Sequence, residues 1–189
     1  MAERRTFLKS LAGSAALLGI AELGVGLELP ALEAAERGRA PSDVALLNTA
    51  LELEHTAIYA YGLAAGSGLL SKGTLEVGGL FKSSHETHRA ALTQAIKDQK
   101  GFPIAAKKAY SFDAFELKTE ADVLRLALFL EMKAAHAYND TLKQFRHKAL
   151  LDAAGRIMGD EVSHAAVLRS ALGKGPVAFW HQLDEGFDA

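Results

Sequence analysis

The chain has 189 residues, of which 49% are hydrophobic, so it is long enough to bury one sizeable core, and its low aromatic content of 7% favours helix over strand. It contains no cysteine, which excludes thiolate metal sites, catalytic thiols and disulfides. A net charge of −2 without a basic stripe gives no electrostatic reason to expect nucleic acid as a partner.

The first 34 residues are predicted to be a leader. They contain a pair of arginines, a polar residue, Phe-Leu and a lysine, a pattern that resembles the twin-arginine export motif: Arg4-Arg5-Thr6-Phe7-Leu8-Lys9. The apolar run that follows, Ser10–Ala21, is too short to span a bilayer. The resemblance implies the twin-arginine export machinery as a partner, a periplasmic or cell-envelope location, and a membrane tether if the leader is retained. The alternative is an amphipathic N-terminal helix that stays attached.

Residues 35–41 are polar and belong to a proline-bracketed stretch, so they are predicted to be a linker. A helical domain is expected over residues 42–173, followed by a tail, residues 174–189, that packs on it. Hydrophobic periodicity and capping signals predict four helices: Asp43–Ala65, Thr74–Lys100, Leu124–Phe145 and Ala149–Leu172.

The connection between the second and third predicted helices, Gly101–Thr119, is 19 residues long. Extended, it reaches about 60 Å, whereas a helix of 25 residues is about 38 Å long. It can therefore cross the whole bundle and deliver the third helix parallel to the second. Thr119 and Asp122 then resemble a capping box at the start of the third helix.

The third predicted helix also carries a second apolar face, formed by Leu126, Phe129, Leu130 and Met132. This off-seam face must be covered by the crossover, by the tail or by a second subunit. A homodimer through it is therefore one prediction.

The two halves of the chain repeat. The pattern E-x-x-A-x-x-A-Y begins at Glu54 and again at Glu131, at an offset of 77 residues, and similar stretches surround His88 and His164, at an offset of 76. Nearly equal offsets predict a pseudo-two-fold arrangement in which the first helix pair is related to the second. The repeat also identifies Glu54, and not Glu52, as the counterpart of Glu131.

Six polar side chains interrupt the apolar seams, the core-facing stripes of the four helices: Glu54, His85, His88, Glu131, Glu161 and His164. Residues three apart share a helix face, so each of the pairs on the second and fourth helices projects in one direction. Carboxylates buried together repel one another and lose their hydration. One or two divalent cations would neutralise them and accept the imidazole lone pairs. The alternative is a bundle whose polar cluster is satisfied by hydrogen bonds and buried water.

This layout resembles the ferritin-like family of di-iron and di-manganese carboxylate proteins, an all-α fold of two antiparallel helix pairs joined by a long crossover. Carried over to this sequence, Glu54 and Glu131 match the single-glutamate helices, Glu161 and His164 match one Glu-x-x-His, and His88 matches the histidine of the other. The departure is His85, where the family pattern has a glutamate. Two iron ions with paired bridging carboxylates, a single ion, a site richer in imidazole that favours zinc, copper or nickel, and recruitment of Glu86 all remain open.

The resemblance implies one or two iron ions, with manganese or zinc as alternatives, and oxygen or peroxide chemistry of a ferroxidase or peroxidase kind. Sequestration of metal without turnover, and a structural bundle with a degenerate site, are the competing hypotheses. Tyr61 and Tyr138 lie seven residues beyond the two repeated glutamates. They are candidates for hydrogen bonds to ligands or for a redox role, or are core tyrosines with satisfied hydroxyls.

Overall fold

The computed structural model describes Pro30 and residues 40–175, and the predicted leader and most of the tail lie outside these residues. Four long helices follow one another: α1 (Asp43–Gly66), α2 (Lys72–Asp98), α3 (Glu120–Leu142) and α4 (Lys148–Ala171). There is no strand among the described residues. The predicted all-α four-helix bundle is confirmed.

Hydrogen bonds between helix ends define the helix directions. The Asp43 carboxylate at the start of α1 accepts from the backbone N–H groups of Arg146 and His147, both at 3.0 Å, so α1 begins where α3 ends. At the other end of the bundle, the backbone N–H of Ser71 donates to Glu120 Oε1 at 2.9 Å, which places the starts of α2 and α3 together. The third helix is therefore parallel to the second, as predicted.

Local capping explains where the predicted helix bounds were wrong. α3 begins at Glu120 and not at Leu124, because Thr119 and Asp122 form the predicted capping box. It ends at Leu142 and not at Phe145, and the Asp43 carboxylate binds backbone N–H groups of the turn that leads into α4.

α2 begins at Lys72, where the Ser71 hydroxyl caps it, and ends at Asp98. Lys100 beyond it has a φ of 57°, a left-handed conformation that stops a helix. A side chain at Gly101 would lie 2.6 Å from Val44 Cγ1, so the glycine permits the end of α2 to contact the start of α1.

The crossover covers the off-seam face of α3. Its residues Tyr110, Phe112 and Phe115 pack against Leu126, Phe129 and Leu130, all three of which are buried. The ring of Phe115 lies 5.3 Å from that of Phe129. This apolar face is therefore covered by the crossover and does not require a second subunit. A homodimer through it stays a prediction that the exposure of this face no longer supports.

Two apolar clusters fill the bundle interior, one on each side of its middle. One surrounds Leu51, Ile96 and Leu150, and the other surrounds Phe81 and Leu128. The polar seam residues lie between these clusters, away from bulk water. Among the described residues, no helix is both long and apolar enough to cross a membrane.

Candidate metal centre

All six polar residues predicted from the seams meet in the middle of the bundle and are buried, with exposed fractions from 0 to 8%. α1 and α3 each contribute one glutamate, α2 contributes two histidines and α4 contributes a glutamate and a histidine: Glu54, Glu131, His85, His88, Glu161 and His164. The seam periodicity brought them together, because each lies on the core face at the same level of its helix.

The six residues form two overlapping groups, each of which could hold one metal ion. The first comprises Glu54, His88 and the shared pair His85 and Glu161, and in the second Glu131 and His164 join the same pair. Within each group, one ligand atom from every residue lies within 4.8 Å of the others. The two shared residues are counterparts in the internal repeat, so the pseudo-two-fold relates the two halves of the cluster.

His85 occupies the centre of the cluster. Its Nδ1 lies 2.8 Å from Glu54 Oε2, and its Nε2 lies 3.1 Å from Glu131 Oε1. A ring with a carboxylate at both nitrogens is favoured as the imidazolium, which donates on both sides. Without a metal, therefore, the residue that replaces the family's glutamate links the two halves of the site.

Two tyrosines cross the bundle to reach the repeated glutamates. Tyr61 of α1 donates to Glu131 Oε1 of α3 at 2.5 Å, and Tyr138 of α3 donates to Glu54 Oε1 of α1 at 2.6 Å. Each hydroxyl thus restrains one carboxylate oxygen and leaves the other available. The predicted hydrogen bonds to ligand candidates are present, each directed to the glutamate of the other helix.

Asp160 is a functional candidate that the sequence reasoning missed. Its Oδ2 lies 3.1 Å from Nε2 of His88, and Ser84 Oγ lies 3.4 Å from the same nitrogen. A carboxylate at Nε2 favours a proton there, so Nδ1, which faces the cluster, is the nitrogen that could bind a metal. Its position next to Glu161 was the available signal, but helical geometry places Asp160 off the core seam.

Glu86, by contrast, is not recruited to the cluster. Its carboxylate is partly exposed and pairs with Lys82 one turn earlier on α2, at 3.3 Å. The hypothesis that it replaces the missing glutamate is not supported, because one residue beyond His85 the helix points it away from the core.

Unpaired buried atoms indicate that the site fits a cation. Both carboxylate oxygens of Glu161 and the Nδ1 of His88 are buried and have no hydrogen-bond partner. Nδ1 of His88 lies 3.2 Å from Glu161 Oε1, a short distance without hydrogen-bond geometry. Buried carboxylates are normally satisfied. Three carboxylates and three imidazoles form a donor set that could hold a divalent metal ion.

The protonation pattern of the cluster is uneven. Burial opposes the charged forms of Glu54 and Glu131, but contacts with His85, and with His88 and His164 respectively, outweigh it and lower the pKa of each carboxyl. Burial, together with the negative charges of those two glutamates, raises the pKa of Glu161 well above its usual value. Glu161 therefore keeps its proton to a higher pH than Glu54 and Glu131 do.

The histidines compensate for that charge. Burial disfavours the imidazolium of His85, but hydrogen bonds to Glu131 and Glu54 raise its pKa well above the usual value. The pKa of His88 is raised as well, since contacts with Glu54 and Asp160 outweigh its burial. In the metal-free cluster, protons on the histidines thus balance the carboxylate charge that a divalent cation could also neutralise.

Comparison with known proteins agrees with this architecture. None of the curated proteins matches the chain significantly. The chain is similar to the crystal structure of a conserved hypothetical protein from Mycobacterium tuberculosis, with a TM-score of 0.64, 22% identity, and coverage of 71% of this chain and 93% of that one. At that identity the likeness shows the fold. The ferritin-like domain family matches residues 42–174, which include all four helices and the six clustered residues. The chain belongs to the ferritin-like family.

Proposed function

We propose that the chain binds one or two transition-metal ions, iron or manganese first and zinc as an alternative, between its four helices for redox chemistry with oxygen or peroxide. The observation that carries the proposal is Glu161, which is fully buried among five other metal-type ligands with neither carboxylate oxygen in a hydrogen bond. A bound iron or manganese ion would supply one-electron chemistry that no side chain in the cluster provides.

The six clustered residues would bind metal in two groups. Glu54 and His88 would hold one ion, and Glu131 and His164 the other, with His85 and Glu161 shared between them. Three carboxylates balance less positive charge than the four of the family pattern, which favours a single ion or a mixed-ligand pair over two tightly bridged ions.

The surrounding side chains prepare the cluster for a cation. Tyr61 and Tyr138 restrain Glu131 and Glu54, and Asp160 orients His88. The apolar clusters on either side exclude water, which strengthens charge interactions at the site. Metal binding would displace the protons held by Glu161, His85 and His88.

A specific observation favours a second candidate, a bundle that holds metal without turnover or needs none. His85 spans Glu54 and Glu131 and partly neutralises them without any ion. Stoichiometric metal with no oxidase or peroxidase turnover would select sequestration, and the absence of bound metal would select the structural bundle.

We also propose export by the twin-arginine route to the periplasm or cell envelope, with a membrane tether if the leader is retained. The support is the motif at Arg4 and Arg5, in residues that the structure does not describe. This route moves folded cargo and suits a protein that acquires its metal before export. A homodimer through α3 belongs to the same set of proposals.

The deciding experiment is elemental analysis of protein purified from iron-rich medium, followed by anaerobic Fe²⁺ addition and exposure to oxygen. We expect bound transition metal and a new absorbance band in the wild type, and neither in Glu131→Ala. Wild-type protein without metal and without new absorbance would refute the proposal. Melting of the two proteins with and without added metal is the second readout. Metal should raise the melting temperature of the wild type and not that of Glu131→Ala, whereas a structural bundle predicts that added metal changes neither.

A further inference from the structure

A second feature of the bundle lies at the end where α2 and α3 begin and α1 and α4 end. A cavity of about 470 Å³ lies there, lined by residues of all four helices. Its walls are almost entirely apolar and include Leu75, Leu124 and Leu168. The volume falls in the range of about 300–1,000 Å³ that is typical of small-molecule sites.

Two adjacent glycines keep this cavity open. Gly78 and Gly79 lie inside α2 and line the space, although glycine weakens a helix interior. Neither has the positive φ that would require glycine. A Cβ at Gly79 would meet nothing within 4 Å, and one at Gly78 would meet only Tyr61 Cδ1, at an ordinary 3.8 Å. Neither backbone conformation nor close packing therefore requires glycine at these two positions. Their lack of side chains does leave the cavity unfilled.

The inner wall of the cavity is also the outer wall of the candidate metal centre. Tyr61 lines the cavity and donates its hydroxyl to Glu131. Phe81 lines it too, and its ring stacks on that of His164 with centroids 4.1 Å apart. Only the side chains of Tyr61 and Phe81 would therefore separate a molecule in the cavity from two candidate metal ligands, Glu131 and His164.

The lining determines the chemistry of the occupant. Its polar side chains are Thr74, Lys82 and Tyr61, of which Lys82 pairs with Glu86 and Tyr61 with Glu131. An extended peptide segment would leave its backbone N–H and C=O groups without sufficient partners there, which is unfavourable. A neutral hydrocarbon chain or ring compound needs no hydrogen-bond partner.

We propose that this cavity is a binding site for a neutral, apolar small molecule, which it holds against Tyr61 and Phe81 beside the metal centre. The site is built from apolar walls and two glycines and does not depend on metal. It can therefore exist whether or not the proposed metal function is correct, and it is tested on metal-free protein.

The test is titration of the metal-free full-length chain with phenylnaphthylamine, a neutral probe that fluoresces in apolar surroundings, followed by displacement with dodecanol. We expect one saturable site per chain. Gly78→Leu places a side chain in the cavity and should weaken binding about tenfold or more. Gly155→Leu is the matched control, because Gly155 is a partly exposed helical glycine of α4 with open space around it, outside the cavity. It should bind the probe as the wild type does.

Two results would overturn the proposal. The first is an absence of saturable probe binding, or equal binding by Gly78→Leu and wild type. The second concerns the tail, whose Trp180 is the only tryptophan of the chain and lies outside the described residues. Blue-shifted Trp180 emission together with no probe binding would identify the tail as the occupant. Circular dichroism of both glycine variants shows whether they fold, and an unfolded Gly78→Leu is replaced by Leu124→Trp.

Discussion

His88 illustrates how an exposed carboxylate can prepare a buried imidazole. Asp160 binds its Nε2 from the partly exposed side of α4, and the opposite ring nitrogen is buried beside Glu54 and Glu161 without a hydrogen bond. An imidazole held in this way presents a fixed lone pair, so less order must be gained when a metal binds.

The first prediction concerns this contact. Asp160→Asn retains the size of the side chain but removes the charge that favours a proton on Nε2 of His88, so metal affinity should fall about 10- to 100-fold. Isothermal titration with Mn²⁺ measures it. The matched control is Asp152→Asn, also on α4, where the carboxylate pairs only with Arg156 at the surface. Equal losses in both variants, or none in either, would contradict the orienting role.

At the scale of elements, the crossover is held by side chains of α1. The Asn48 amide donates to the carbonyl of Phe102 at 3.1 Å and accepts from the N–H of Ile104 at 2.9 Å. His55 Nε2 lies 3.3 Å from the Ile104 carbonyl. These contacts begin the path along which the crossover covers α3.

The second prediction follows from that anchor. Asn48→Ala leaves two backbone groups of the crossover without partners, so the free energy of unfolding should fall by about 2 kcal/mol. Urea denaturation of metal-free protein measures the change. Asn139→Ala on α3 is the control and should change stability by less than about 0.5 kcal/mol. An anchor variant as stable as the control would show that apolar packing alone holds the crossover.

At the scale of the whole molecule, the buried cluster makes the free energy of unfolding depend on pH. We expect bound metal to change the direction of that dependence. The lowered pKa values of Glu54 and Glu131 stabilise the fold above about pH 4.5, their unfolded value, and this contribution is lost as pH falls. The raised pKa values of His85 and His88 stabilise it below about pH 6.5, and that contribution is lost as pH rises through the folded values. The pKa of Glu161 is also raised, so its contribution is lost in the same direction, but the loss begins above about pH 4.5, its unfolded value.

The third prediction is therefore that the stabilities of the metal-free and the metal-bound protein diverge as pH rises. Metal-free protein should be most stable at about pH 4.5, lose some stability above it through Glu161, and lose it more steeply above about pH 6.5 through His85 and His88. The stabilisation added by metal should instead grow with pH, because the ion competes with protons for the same atoms. Thermal melting with and without chelator, from about pH 5 to pH 9, measures both. Parallel profiles would mean that metal does not bind at the cluster.

The fourth prediction concerns the leader. Replacing both Arg4 and Arg5 by lysine retains the charge but removes the arginine pair, so the precursor should accumulate in the cytoplasm. Cell fractionation with immunoblotting measures the distribution. Lys9→Arg, which leaves the pair intact, is the control and should be exported normally. Export of the double variant would contradict the twin-arginine route.

The sequence by itself determined the helical class, the parallel course of the second and third helices, the capping box and all six clustered residues. Those features follow from spacing: apolar seams and a repeat place side chains on one face at one level, whatever the details of packing. The helix ends were less predictable. The turn between α3 and α4, for example, is bound by Asp43, a residue about one hundred positions away.

Only the tertiary structure decided how the cluster is arranged. The crossing of the two tyrosines, the contact of Asp160 with His88, the central position of His85 and the cavity beside Tyr61 are contacts between different helices. They depend on how the helices are rotated and separated, which no periodicity within one helix encodes. The sequence therefore specified which groups could meet a metal, and the packing of the four helices decided which atoms of those groups were left to bind one.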